Sequence, residues 1–204
     1  MTIRKGEAWG APGPLPPGGV VVRTDAEARD ALTAARRAKE PFPVLGLLGG
    51  DLCRTLGGRG DEARLRDDEA MTFPIDVGEV LLDGQLHLFV AHLVARRPLW
   101  IGRFAVAMNS AWLGDLNLGP KAHPNDGLLD ISEGALSFGP LLLARRRART
   151  GTHVPHPGIT MRRVPAAQVH FNRPMPVWLD GQRVGAFRDI SVRVEPDALT
   201  VVVA

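Results

Sequence analysis

The sequence has little of several things that mark particular classes of protein. Cys53 is the only cysteine among 204 residues, which excludes a disulfide scaffold and fits a reducing cytosol. No apolar run approaches the roughly 20 residues of a membrane-spanning helix, since stretches such as Val44–Leu48 and Leu141–Ala144 are far shorter. The charged start, Met1–Lys5, leads into glycine and proline, so we expect no signal peptide.

Tyrosine and lysine are also scarce, which bears on nucleic-acid binding. The chain has no tyrosine, and its lysines are Lys5, Lys39 and Lys121 alone. With 25 basic and 22 acidic residues the net charge is only +3. The one basic cluster, at residues 145–149, has no interleaved aromatic residues for base stacking. We therefore expect no nucleic-acid partner. The 45% of hydrophobic residues are enough for a globular core.

Glycine and proline are plentiful near the N-terminus. Residues 6–19 hold four prolines and five glycines, which predicts an extended or irregular leader over residues 1–19. A small β-α-β-α unit is predicted over residues 20–66, with its two strands in parallel. Its expected elements are strand Val20–Val22, helix Asp25–Lys39, strand Val44–Leu48 and a short helix Asp51–Leu56.

From Asp67 onward, short alternating strands and tight turns predominate. Asp-Gly pairs at 83–84 and 180–181 predict hairpin turns. Residues 67–204 are therefore predicted to form a mainly antiparallel β domain, which makes the whole chain α+β. Further expected features are one strand over Gln85–Val94, a third turn at Pro196–Asp197 and one helix over Leu136–Thr150.

Four motifs, taken in order, resemble those of the bacterial lipid kinases. Residues 122–130, AHPNDGLLD, are similar to a motif of the kind A-x-x-x-D-D-G-L-L-D. Residues 177–182, VWLDGQ, resemble a hydrophobic-D-G-E hairpin, and Ile75–Gly78 resembles an I-D-x-G strand. Ile190–Val203 resembles the closing strand pair. Together they resemble the diacylglycerol kinase group of the diacylglycerol, sphingosine and NAD kinase superfamily.

This resemblance covers residues 42–204 and implies a fold and a chemistry. Residues 20–66 would be the truncated remnant of a nucleotide domain. Residues 67–204 would be a β-sandwich domain of the lipid-kinase or NAD-kinase type. An active member would use ATP and Mg²⁺ as cofactors, and an inactive one would use none.

The expected ATP site is eroded. Family kinases grip phosphates with two glycine loops, G-G-D-G-T and G-T-G-N-D, because backbone N–H groups before a helix bind anions. Only Leu47–Asp51, LLGGD, matches here. The resemblance assigns it to the second loop, with Gly49, Gly50 and Asp51 as cofactor-binding residues. The first loop is expected upstream of the start of this chain.

The resemblance also implies a metal site. The Asp126 carboxylate and the backbone carbonyls of His123 and Leu128 would hold Mg²⁺, which prefers oxygen ligands. Residues 125–127, Asn-Asp-Gly, are also an ordinary tight turn before a strand. The sequence leaves both interpretations open.

The resemblance implies that Asp180 and Gln182 occupy the catalytic positions. Gln182 stands where the family has the glutamate of D-G-E, and an amide has no useful basicity. Asp180 shares a hairpin face with it and could act as the base, or could serve only the turn. The sequence therefore does not decide whether the chain is an enzyme.

Other features carry weaker signals. The arginines at 145–149 could meet anionic lipid headgroups or could form a solvated helix face. Trp100 and Trp112 could line an apolar groove or belong to the core. A zinc site among the histidines and a catalytic thiol at Cys53 have little support, because neither the spacing nor the surroundings favour them.

Three functions are consistent with these features of the sequence. The first is a degenerate lipid-kinase relative that binds a lipid or a partner. The second is an active, reduced-size lipid or small-molecule kinase dependent on ATP and Mg²⁺. The third is an interaction module that forms a homodimer through an uncovered sheet edge. We rank the first highest and expect a cytoplasmic protein that contacts the membrane surface peripherally.

Overall fold

The computed structural model describes residues 9–204, so residues 1–8 of the expected leader lie outside it. The helices are α1 (Asp25–Ala38), α2 (Gly50–Thr55) and α3 (Phe138–Ala148), with 3-10 turns at Arg64–Arg66 and Pro98–Trp100. The strands are β1 (Ala11–Pro12), β2 (Val20–Val22), β3 (Leu45–Leu47), β4 (Met71–Leu82), β5 (Gln85–Phe89), β6 (His92–Ala95), β7 (Gly102–Met108), β8 (Trp112–Leu113), β9 (Leu116–Asn117), β10 (Leu129–Leu136), β11 (Ile159–Val164), β12 (Ala166–Leu179) and β13 (Gln182–Val203). None of the helices in this described part is long and apolar enough to cross a membrane.

Eleven of these strands form one mainly antiparallel sheet. Its main path runs β1-β4-β13-β12-β6-β7-β10-β11, while β5 pairs with β4. The largest apolar cluster is built from alternate residues of the long strands, such as Val80, Phe89, Phe171 and Val177. This alternation is what the sequence pattern predicts, and the α+β class is confirmed.

The β-α-β-α unit has the predicted parallel strands. β2 pairs in parallel with β3, from Val20 opposite Leu45 to Val22 opposite Leu47. Helix α1 begins after Thr24, whose side chain accepts a hydrogen bond from the backbone N–H of Glu27 at 3.1 Å. β3 also pairs in parallel with β13. The strands on both sides of residue 66 therefore belong to one sheet.

Both predicted Asp-Gly hairpins are confirmed. Leu82 pairs with Gln85 in the first and Leu179 with Gln182 in the second. Asp180 and Gly181 have φ of 49° and 82°, as a two-residue turn with left-handed residues requires.

The single strand expected over Gln85–Val94 is wrong. The chain forms β5 and then β6, and the two strands have different partners. The break falls at Val90 and Ala91, because their backbone N–H groups donate to the buried Asp180 carboxylate instead of to a neighbouring strand.

The turn expected at Pro196–Asp197 is also wrong. Glu195 pairs with Val77 and Leu199 with Ile75, so the chain continues in one direction along β4 with an irregularity between. The backbone N–H of Asp197 donates to the Asp76 carboxylate at 2.9 Å. This contact allows a bulge where the local sequence suggests a reversal.

The described part of the leader packs onto the sheet. β1 pairs with Met71 and Thr72 of β4. Leu15 is buried beside Leu65 and Val202, and its backbone N–H donates to the Leu65 carbonyl at 2.7 Å. Apart from the two-residue strand β1, the residues from 9 to 19 have no regular secondary structure, yet they contribute to the core.

Candidate functional site

Two strand–loop–helix junctions meet at one end of the sheet. Because β2 and β3 are parallel neighbours, helices α1 and α2 begin close together. Asp25 is the first residue of α1. Its carboxylate accepts hydrogen bonds from the backbone N–H groups of Asp51 at 2.6 Å and Leu52 at 3.1 Å. A carboxylate from one helix thus satisfies the free donors at the start of the next.

The glycines of the expected phosphate loop admit this carboxylate. Gly50 has φ of +92°, and a Cβ there would lie 2.4 Å from Oδ1 of Asp25. Only glycine tolerates both the angle and the approach. The N–H groups of Asp51 and Leu52 are therefore already bonded, and an ionised Asp25 would repel a phosphate. The loop as built does not fit the ATP phosphates.

Asp51 is held by His92, a residue the sequence analysis did not assign to the site. Oδ2 of Asp51 lies 2.9 Å from Nε2 of His92, and the backbone N–H of Gly114 donates to the same carboxylate. Burial opposes ionisation of Asp51, but the hydrogen bonds from His92 and Gly114 outweigh it and lower the pKa of Asp51. Burial likewise opposes the charged form of His92, but Asp51 and Asp180 raise the pKa of His92.

Asp180 lies near this group, and both oxygens of its carboxylate accept hydrogen bonds. One carboxylate oxygen accepts from the N–H of Val90 at 3.0 Å, and the other from Ala91 at 2.9 Å and His92 at 3.1 Å. Its side chain is buried, and burial raises the pKa of Asp180. A general base must reach the proton of a substrate hydroxyl. Asp180 is instead occupied in joining its hairpin to the β5–β6 connection.

Gln182 is bound to helix α1. Nη2 of the buried Arg29 donates to Oε1 of Gln182 at 2.6 Å, and Nη1 donates to the Leu179 carbonyl at 2.6 Å. The amide oxygen therefore receives a cationic donor and has no basic function. The two predicted catalytic positions lie on one hairpin, and both serve its attachment to neighbouring elements.

Asp25 and Asp180 are buried close together, so the charge of one opposes the ionisation of the other. Burial, together with the charge of Asp180, raises the pKa of Asp25 to about 7. The two N–H donors of α2 oppose this shift but do not cancel it. Near neutral pH, Asp25 is therefore a mixture of its charged and neutral forms.

Asp25, Asp51 and His92 offer ligand atoms within 4.8 Å of one another. Mg²⁺ prefers an array of oxygens and retains several waters. Here one donor is an imidazole nitrogen already bonded to Asp51, and both carboxylates accept backbone N–H groups. In this arrangement the group does not fit Mg²⁺, and its hydrogen bonds account for the placement of all three side chains.

The predicted metal residues around Asp126 lie at a separate place. The Asp126 carboxylate accepts from the backbone N–H of Leu128 and contacts the Arg163 guanidinium, which also donates to Asp130 at 2.9 Å. Nδ1 of His123 accepts from the Asn125 N–H at 3.3 Å. A guanidinium thus neutralises Asp126, and the turn interpretation accounts for these contacts.

Asp76, from the I-D-x-G motif, connects this turn to β13. Its carboxylate accepts from the N–H groups of Gly127 at 2.7 Å and Asp197 at 2.9 Å. Burial raises the pKa of Asp76 to about 6. Cys53 is also buried, and burial with the charge of Asp25 raises the pKa of its thiol to about 11. A reactive thiolate is therefore disfavoured at Cys53.

An apolar groove lies beside helix α3 and has a cavity volume of about 170 Å³. Phe104 of β7, Leu136 of β10 and Leu141 of α3 line it, together with Trp100. Leu99, which is 72% exposed with φ of 59°, also lines it. A closed apolar cavity of about 150 Å³ takes a benzene-sized group, so a longer chain would extend into the open part.

Two buried polar side chains also line this groove. Ser132 is 6% exposed and His153 is 5% exposed. Oγ of Ser132 and Nδ1 of His153 have no hydrogen-bond partner among the described residues. Burial lowers the pKa of His153, which favours its neutral form. Because buried polar groups normally have partners, the groove suits a ligand with a few polar atoms along an apolar chain.

A second cavity, of about 340 Å³, adjoins the groove. Trp100, Leu116 and Arg145 line both spaces. At its other end the second cavity reaches His92 and Gly181. The second cavity therefore lies between the apolar groove and the edge of the carboxylate group.

Sequence reasoning missed three residues of the site: Asp25, Arg29 and His92. One signal for Asp25 was available, because strand β2 is followed by Asp25 at a helix start, as β3 is followed by Asp51. His92 and Arg29 carried no comparable signal, because their partners are 41 to 153 residues away in sequence.

The comparisons with known proteins agree with this architecture. The family model described as the YegS C-terminal NAD kinase beta sandwich-like domain matches residues 77–203. No curated protein matches the sequence significantly.

Solved structures from Bacillus anthracis str. Sterne share the fold. One, described as a "putative diacylglycerol kinase", has a TM-score of 0.63 at 13% identity over 80% of this chain and 70% of its own. Another, described as a diacylglycerol kinase, has a TM-score of 0.59 at 13% identity over 80% of this chain and 68% of its own. At this identity the likeness concerns the fold alone, and it confirms the expected β-sandwich type.

Proposed function

The chain belongs to the family of the YegS C-terminal NAD kinase beta sandwich-like domain, and we propose that it binds a lipid in the groove beside α3 and transfers no phosphate. The observation that carries the proposal is the groove itself. It is lined mainly by apolar side chains and contains two buried polar groups without partners, Ser132 and His153.

These features select the class of ligand. An apolar wall favours an acyl chain through the area it removes from water, at about 25 cal/mol per Å². Ser132 and the neutral His153 would each gain a hydrogen bond from a hydroxyl or ester carbonyl of the same molecule once the side chains that cover Oγ and Nδ1 move aside. A single-chain acyl glycerol carries both kinds of group.

The proposed loss of phosphoryl transfer rests on the carboxylate group. Transfer requires donors that hold the phosphates and a base or orienting group for the hydroxyl. The Asp25 carboxylate already accepts hydrogen bonds from the backbone N–H groups at the start of α2. Asp180 accepts three backbone N–H groups, and Gln182 supplies only an amide.

Lipid binding is tested with monooleoylglycerol and the intrinsic fluorescence of the four tryptophans, of which Trp100 lines the groove. Two neighbouring leucines of α3 provide matched variants. Leu142 lines the groove and is 54% exposed, whereas Leu143 is 47% exposed and does not line it. We expect Leu142→Asp to weaken binding about tenfold or more and Leu143→Asp to change it less than about twofold. Equal effects, or no binding by the native chain, would refute the proposal.

The nucleotide part is tested by calorimetric titration of ATP with Mg²⁺ into the native chain. We expect no binding heat at millimolar ATP. Clear binding, followed by ATP-dependent phosphorylation of monooleoylglycerol, would establish the active-kinase alternative. In that case Asp180→Asn should abolish turnover if Asp180 is the base.

A further inference from the structure

Three arginines line the second cavity. Arg96 follows β6, Arg145 lies in the last turn of α3, and Arg149 is the residue directly after that helix, four positions from Arg145. Among the described residues that line this cavity, Asp115 is the only carboxylate. The lining therefore carries an excess of positive charge.

No carboxylate in the described part of the chain pairs with these guanidiniums, and that of Arg96 donates a hydrogen bond to the Arg97 carbonyl at 3.2 Å. Within residues 9–204, none of the three forms an ion pair, whereas Arg36, Arg163 and other arginines do. Arg96 packs against the rings of Trp100 and Trp178, at 5.0 Å and 4.6 Å. Burial and the nearby charge of Arg145 lower the pKa of Arg96. The aromatic rings thus position the guanidinium of Arg96, which forms no ion pair within residues 9–204.

We propose that this cavity is an anion subsite, which binds the phosphate or carboxylate headgroup of the lipid whose chain occupies the groove. The inference rests on the proposed function and extends it, because it makes the ligand anionic. Trp100, Leu116 and Arg145 line both spaces, so the groove and the cavity lie side by side, where the two ends of one molecule would occupy them. Guanidinium groups match the geometry of both anions.

The test compares two lipids that differ only in the headgroup charge. The probes are monooleoylglycerol and 1-oleoyl lysophosphatidic acid, the same molecule with a phosphate, each below its micellar concentration. Inorganic phosphate is the third probe. We expect the phosphate-bearing lipid to bind about tenfold or more tightly than its neutral counterpart, and inorganic phosphate to bind far more weakly than either lipid.

Matched double variants at the end of α3 separate the subsite from general surface charge. Arg145→Gln with Arg149→Gln removes two cavity arginines, and Arg146→Gln with Arg147→Gln removes two exposed arginines outside it. We expect the first pair to bring the affinity for lysophosphatidic acid down to that for monooleoylglycerol in the same variant. Because Arg145 also lines the groove, the readout is the ratio of the two affinities. We expect the second pair to change both affinities less than about twofold.

The outcomes distinguish this inference from the proposed function. Equal affinity for the two lipids, unaffected by the cavity variants, would overturn the subsite while the lipid groove stands. Binding of neither lipid would refute both. Inorganic phosphate that binds as tightly as lysophosphatidic acid would identify a free-phosphate site and overturn the headgroup assignment.

Discussion

At the scale of single residues, Asp25 decides what the loop before α2 can bind. Its carboxylate accepts hydrogen bonds from the N–H groups of Asp51 and Leu52. A phosphate bound at this loop would require the same two donors. The same residue is destabilised when charged, because it is buried near Asp180. Two hydrogen bonds favour the charged form of Asp25, whereas burial and Asp180 oppose it. The contribution of Asp25 to the free energy of unfolding therefore depends on pH.

The pH dependence of stability tests this balance. Asp25 has a pKa of about 7 in the folded chain against an ordinary value of 3.8. The folded state therefore binds more protons than the unfolded state between these values. We expect the free energy of unfolding to fall as pH rises from 4 to 7, by at most about 1.4 kcal/mol per pH unit for this group.

Urea titrations at several pH values would measure that slope. Asp25→Asn should flatten the fall over this range, because the variant has nothing to ionise at that position. Asp68→Asn, which removes one exposed negative charge, is the matched control and should leave the slope as it is. An unchanged slope in Asp25→Asn would show that Asp25 is ionised in the folded chain well below pH 7.

At the scale of elements, the start of α2 depends on the close approach of α1. Gly50 and Gly57 stand at the two ends of α2, and both have positive φ. An added Cβ meets Asp25 at Gly50 but nothing within 4 Å at Gly57. The two glycines therefore separate the cost of the backbone angle from the cost of the contact.

Alanine substitutions use this pair directly. We expect Gly57→Ala to cost about 1 kcal/mol of unfolding free energy, from the left-handed conformation alone. We expect Gly50→Ala to cost about 1–3 kcal/mol more, because the Asp25 carboxylate must move. Urea unfolding at pH 7 measures both. Equal costs would contradict the packing of Asp25 against this turn.

The two Asp-Gly hairpins show how identical turns acquire different roles. Asp83 is exposed, and its carboxylate accepts from the N–H groups of Arg188 and Asp189. Asp180 is buried and accepts from three N–H groups of the β5–β6 connection. Local sequence predicts both turns equally well, and only their surroundings distinguish them.

At the scale of the whole molecule, Asp180 joins segments 88 to 90 residues apart. Its loss would leave three buried donors unpaired, at about 1–3 kcal/mol each. We therefore expect Asp180→Ala to cost about 3 kcal/mol or more, and Asp83→Ala about 1 kcal/mol. Thermal and urea unfolding would compare them. If Asp180→Ala does not fold, Asp180→Asn gives the measurement, and a loss no larger than that of Asp83→Asn would contradict this role.

The sheet also sets the layout of the proposed ligand path. β6 carries His92 at the carboxylate group and leads to Arg96 in the second cavity, while β7 and β10 form the wall of the groove. The groove and the carboxylate group thus lie on connected parts of one sheet. A homodimer through a sheet edge stays a prediction.

The sequence by itself determined the elements whose causes are local. Strand alternation, a helix cap at Thr24 or Asp25 and the Asp-Gly pairs each act within a few residues, so they predicted the parallel unit, both hairpins and the α+β class. The lipid-kinase resemblance predicted the sandwich family and directed attention to Asp51, Asp180 and Gln182.

Only the tertiary structure decided what those residues do. Asp25 reaches Leu52, Arg29 reaches Gln182 and Asp180 reaches Val90 across 27, 153 and 90 residues of sequence. The β5–β6 break and the β13 bulge have the same origin, because a backbone N–H takes a distant carboxylate in place of a strand partner. A hydrogen-bond donor pairs with an acceptor that folding places beside it. A local sequence pattern does not specify which distant acceptor that is.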